Sequence, residues 1–206
     1  MKKKITLLLS LALAVAIGIG GTLAWLTDKT EEVKNTFTVG NINITLTEEA
    51  GGNTKEFKMV PGQTITKDPK VTVKAGSEAC WLFVEIEKST NLDDFISYKV
   101  KLGENSWKEL TGVTGVYYRE VAASDTDQSF DVIGYESGEP ATFTANKVLV
   151  KNTVTKAMMD EFDTDNNGTL SDTEKAALPT LTFTAYAVQK DGVGTVADAW
   201  AKVPTT

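Results

Sequence analysis

The chain has 206 residues, 41% hydrophobic and 24% charged, the balance of a sequence that folds around a core. Its net charge of −7 leaves no general electrostatic footprint for nucleic acid. With no histidine and one cysteine it excludes HExxH centres, Ser/His/Asp triads, Cys/His dyads, internal disulfides and cysteine zinc clusters.

Lys2, Lys3 and Lys4 precede an uncharged stretch from Ile5 to Ala24. A positive end followed by an apolar run marks an export signal, and this run is also just long enough to span a bilayer. Gly18, Gly20 and Gly21 loosen its far end. The reading predicts a signal helix over 1–24, cut between Ala24 and Trp25, with a retained anchor as the alternative. Cleavage removes three positive charges and no negative ones, which takes the net charge from −7 to −10. Residues 25–35 are polar, mixed in charge and without period, and are expected to form a flexible arm.

Strand signals begin at Thr36. Phe37 and Val39 alternate with threonines, and Ile42, Ile44 and Leu46 alternate with Asn43, Thr45 and Thr47. Strict period two with β-branched residues predicts half-buried strands. Turns are expected at Gly51-Gly52-Asn53 and at Pro61-Gly62, the latter before a strand run ending in Val71-Thr72-Val73. Cys80 to Glu87 starts as a continuous apolar run and predicts a central strand, with Cys80 as a small buried hydrophobe. Further strands are expected from Phe95 to Leu102, Trp107 to Leu110, Gly115 to Val121, Ser129 to Tyr135, Ala141 to Val150 and Leu181 to Val188. Tyr117 and Tyr118, being adjacent, are expected on opposite faces, one in the core and one at the surface. Glu85 and Glu87 read as a solvated sheet face, and Asp93-Asp94 as a turn or strand entry. Thr195 to Lys202 reads as a short helix with Asp198 completing a capping box and Trp200 packing onto the sheets. Helices do not alternate with strands, which disfavours parallel α/β architecture. The expected fold is all-β: a jelly-roll-like antiparallel β-sandwich over 36–206 with short helices.

Three stretches resemble the TasA/camelysin family of exported Gram-positive proteins. They are GTLAWLTDKTEEVKNTFTVGNINITLTEE at 21–49, PGQTITKDPKVTVKAGSEACWLFVEIE at 61–87 and LTFTAYAVQKDGVGTVADAW at 181–200. The resemblance implies a jelly-roll domain at the cell surface or in the biofilm matrix, and a signal peptide cut by an ER-type signal peptidase. It also implies possible homopolymers, in which the N-terminal segment serves as donor strand for the next subunit. The charged sequence WLTDKTEEVKN departs from a clean alternating strand at that place. Camelysin-like members are classed as secreted metalloendopeptidases.

Residues 163–174 read DTDNNGTLSDTE and satisfy D-x-[DN]-x-[DN]-G-x₅-E in full. Asp163, Asp165 and Asn167 would supply side-chain oxygens and Thr169 its backbone carbonyl. Ser171 would act directly or through water, and Glu174 would bind through both oxygens. Gly168 stands where the loop must turn sharply. Lys156 to Phe162, capped by Thr155, and Ser171 to Leu178, stopped by Pro179, are expected to flank the loop as helices. This EF-hand-like unit at 155–178 is an insertion in the sandwich, and a single such loop predicts structural calcium rather than a sensor pair. The sequence therefore predicts a secreted structural protein with calcium as its cofactor and without enzymatic activity. A calcium-stabilised adhesion module, whose matrix ligand the sequence does not name, is the alternative, and a metalloendopeptidase the least favoured reading.

Overall fold

The computed structural model describes residues 41–48 and 59–204. The expected signal helix at 1–24, the cut between Ala24 and Trp25, the arm at 25–35, the strand at Phe37 and Val39 and the turn at 51–53 lie outside the described residues. Among the described residues no helix is long and apolar enough to cross a membrane.

The fold is predominantly β, with short helices. A four-stranded sheet has the order β13-β4-β8-β7, in which β4 is Cys80–Lys88, β7 Lys108–Glu109, β8 Val116–Val121 and β13 Leu181–Gln189. All its pairings are antiparallel, and β13 runs against β4 over nine residues from Leu181↔Lys88 to Gln189↔Cys80. Both faces of this sheet are covered, which is why β4 reads as a continuous apolar run. Cys80, Leu82, Val84 and Ile86 face the larger core, while Trp81 and Phe83 face a smaller cluster with Leu110, Val116, Tyr186 and Val188. A helix at Val196–Trp200 (α4) closes that second cluster. Its capping box joins Thr195 and Asp198 as expected, and the Trp200 ring sits 5.3 Å from Phe83 and 5.7 Å from Tyr186. Tyr117 and Tyr118 face opposite sides as expected, but because both faces are covered Tyr117 packs on the larger core and Tyr118 on the smaller one, each half-buried rather than one in the core and one at the surface.

Among the described residues there are three smaller sheets. β1 (Ile44–Glu48), β3 (Pro69–Val73) and β9 (Gln128–Asp131) form one. β11 (Thr142–Ala145), β10 (Ile133–Ser137) and β6 (Lys99–Val100) form another. The third contains β2 (Thr64–Thr66), β12 (Lys147–Val150) and β5 (Ile96–Ser97). Here three sequence expectations are corrected. The runs 95–102, 129–135 and 141–150 are not single strands, because each changes sheets part-way. The switches fall at Tyr98, at the fully buried Val132, and at Asn146, whose φ is +61°. Phe95 ends a short helix, α1 (Leu92–Phe95), so Asp93 and Asp94 lie in a helical first turn rather than in a strand entry. Cys80 is fully buried, as its neighbours predicted.

Candidate metal centre

The 163–174 loop lies between two short helices, α2 (Lys156–Asp160) and α3 (Asp172–Lys175). Thr155 caps α2 by accepting from Met158 N, and Met158, Met159 and Phe162 pack on the larger core. The Phe162 ring lies 5.6 Å from Phe95. On the other side, Asn91 Nδ2 donates to Ala177 O at 3.0 Å, and Thr180 N donates to Ser89 Oγ at 2.9 Å. Both flanks of the loop are therefore fastened to the ends of β4 and α1. Both helices are shorter than the stretches expected from sequence, and α3 ends before Ala176 rather than at Leu178.

Within the loop the backbone bends back over its own carboxylates. Asp163 Oδ1 accepts from Asn167 N at 3.1 Å and Oδ2 from Gly168 N at 2.8 Å. Asp165 accepts from Asn167 N and from Asn167 Nδ2, at 3.2 and 2.7 Å. Asn167 Oδ1 accepts from Thr169 N at 2.7 Å. Gly168 carries φ +81°, a left-handed conformation that costs glycine nothing. Asn166 sits at +54°, which asparagine tolerates better than most residues.

Glu174 is buried and holds the loop shut. Its Oε1 accepts from Thr164 Oγ1 at 2.6 Å and Thr164 N at 2.7 Å. Its Oε2 accepts from Ser171 Oγ at 2.7 Å and Ser171 N at 2.8 Å, and Ser171 Oγ accepts from Glu174 N in return, a complete capping box. A carboxylate offers about four lone-pair positions, so these donors fill them. The Thr164 hydroxyl leads these contacts, followed by the Ser171 amide and hydroxyl and the Thr164 amide, and together they hold the Glu174 carboxyl down from 4.5 to about 2. The group is an anion across the physiological range.

Carboxylate oxygens of Asp163, Asp165 and Glu174 lie within 4.8 Å of one another and form a group able to hold a divalent metal. Of the other residues singled out in the sequence, Asn167 is tied to Asp165 and Ser171 to Glu174. Thr169 contributes its amide to Asn167, and its carbonyl remains the group expected to face a cation. Thr164 was missed, since the second position of such a loop has no ligand role and nothing in the spacing marks its hydroxyl. Glu85, read as solvated, is half-buried and accepts from Tyr186 Oη at 3.0 Å. Glu87 is exposed.

Residues 1–97 match the family model described as camelysin metallo-endopeptidase, just under half of the chain and the same family that the sequence blocks resemble. The carboxylate cluster lies beyond the matched residues. No curated protein and no solved structure matches the chain. The family match overturns one expectation. The chain was read as having no enzymatic activity, but the matched model describes a metallo-endopeptidase and the Asp163, Asp165 and Glu174 cluster can hold a metal. The expectation failed because it rested on the absence of histidine, and carboxylates alone can bind hard divalent ions.

Proposed function

We propose that the chain is an exported cell-surface or biofilm-matrix protein of a Gram-positive bacterium, a jelly-roll-like sandwich stabilised by one calcium ion in its EF-hand-like loop. The observation carrying this reading is the convergence of Asp163, Asp165 and Glu174 on a loop fastened to the core at both ends. The donor set is all oxygen, which suits a hard cation, and calcium takes six to eight such ligands. Asp163, Asp165 and Asn167 would give side-chain oxygens, Thr169 its carbonyl, Ser171 its hydroxyl and Glu174 both carboxylate oxygens. For Glu174 to turn to the ion, the Thr164 and Ser171 hydroxyls must rotate away, while the two backbone amides can stay. The bound ion supplies charge that offsets three neighbouring carboxylates.

In this reading an ER-type signal peptidase cuts between Ala24 and Trp25. The freed arm at 25–35 then pairs along a sheet edge of the next copy. A metal-dependent endopeptidase is the second reading, favoured by the family description. Titration calorimetry on the secreted chain tests the first. One calcium site, lost in both Asp163→Ala and Glu174→Ala, is expected, and equal heats in wild type and variants would refute it. Incubating the same preparations with casein tests the second: metal-dependent cleavage abolished by Glu174→Ala would assign catalysis to this cluster.

A further inference from the structure

A second buried polar group lies away from the metal loop. Lys67 Nζ donates to Glu48 Oε2 at 2.6 Å, and the two side chains are only 16% and 13% exposed. The ammonium also lies 5.4 Å from the centre of the Phe183 ring. Lys67 N donates to Asn146 O at 3.1 Å, which makes these residues cross-strand neighbours one step beyond the Thr66–Lys147 pair of β2 and β12. Two steps back, the pair Ile65 and Val148 belongs to the larger core. Two acceptors in this group are buried without a donor: Glu48 Oε1 and Asn146 Oδ1. Leaving buried acceptors unpaired is costly, and native structures rarely do so without a reason.

We propose that Lys67 and Asn146 become joined by an intramolecular amide bond, formed by the folded chain itself with Glu48 as proton carrier. The Glu48 carboxylate takes one proton from the Lys67 ammonium. The free amine attacks Asn146 Cγ, and the second Nζ proton passes to Nδ2. The Cγ–Nδ2 bond breaks, ammonia leaves, and it carries off the proton held by Glu48. One lysine ammonium and one carboxamide become one secondary amide and one ammonium ion, with no oxidant, reductant or cofactor. Backbone pairing holds the reactants together and burial keeps water from competing, which is how proximity accelerates such a step. The new amide N–H is a donor placed beside the Glu48 carboxylate. The bond closes the chain between 67 and 146. An exported chain whose lone cysteine is buried has no internal disulfide, and this link would supply the missing covalent brace.

The test is mass spectrometry of the secreted full chain, intact and after trypsin digestion. The wild type is expected to be lighter than its sequence by one ammonia, with a branched peptide joining Lys67 to Asn146 and no cleavage after Lys67. Glu48→Gln and Asn146→Ala are each expected to show the full mass of their own sequence and normal cleavage at Lys67. If either variant fails to fold, the wild-type peptide map decides alone. Full wild-type mass with free Lys67 and Asn146 peptides would overturn the proposal, and so would an ammonia loss mapped to another asparagine.

Discussion

Calcium should raise the melting temperature of the whole domain, and the size of the rise follows from how the loop is fastened. Phe162 packs against Phe95 on one side, and Asn91 holds Ala177 on the other. The loop therefore unfolds with the core instead of fraying by itself, and ligand binding to it stabilises the global native state. A single loop with three carboxylates and no second loop beside it among the described residues suits the extracellular class of calcium sites, for which the expected dissociation constant is roughly 10⁻⁴–10⁻³ M. At about 10 mM calcium the mass-action gain is then about 1.4–2.7 kcal/mol. For a domain of this size about 1 kcal/mol moves the midpoint by about 2–4 °C, so the expected rise is about 3–11 °C. Differential scanning calorimetry on the secreted chain, in chelator and in calcium at constant ionic strength, measures it. Asp163→Ala should lose the rise, because Asp163 contributes charge to the ion and also accepts from Asn167 N and Gly168 N. An unmoved midpoint in wild type, or an equal rise in the variant, would refute the reasoning.

Other expectations follow from single groups. Glu174 has a folded pKa of about 2 against 4.5 unperturbed, so its contribution is present above about pH 4.5 and lost as pH falls toward 2. In chelator, Glu174→Gln should flatten the urea midpoint across that window, leaving the slope due to Asp127, whose carboxyl is lowered by Lys74 and the Ala75 amide. Burial pushes the Cys80 thiol up to about 12, so a thiol reagent near pH 8 should label it only after denaturation. Trp107 is fully buried and its indole N–H donates to Asp131 O at 2.8 Å. Trp107→Ala should cost about 3–5 kcal/mol in denaturant titration, from the cavity it leaves.

How much of this was legible in the sequence depended on how local each cause is. The Cys80–Lys88 strand was readable because burial on both faces writes itself as consecutive apolar residues. The caps at Thr155 and Thr195 were readable because a cap and its amide lie within three residues. The sheet switches were not. From Gln128 to Ser137 the period of two slips at Val132-Ile133, two adjacent buried residues, where the chain changes partners, but a slip in phase does not record which sheet covers the next residue. Asn146 carried a trace of its switch of a different kind, as a residue type that accepts positive φ.

The two polar centres make the same point about chemistry. The 163–174 loop was visible because all its ligands are supplied by one short turn, so spacing and geometry are nearly the same information. Thr164 escaped because it bonds the Glu174 carboxylate and is not itself a position of the pattern, which marks only the expected ligands. Lys67 follows β2, Glu48 ends β1 and Asn146 stands between β11 and β12, and only the pairing of β2 with β12, together with the course of β1 beside β3, brings these segments near one another. No spacing rule could have joined them. That difference also separates how the centres should respond to damage. Loosening the core near Phe95 should weaken cation binding in proportion to the strain passed through Phe162, a graded effect. A shift in the β2–β12 register should abolish the Lys67–Asn146 bond outright, because one residue of slip no longer sets Lys67 beside Asn146 at the end of the ladder.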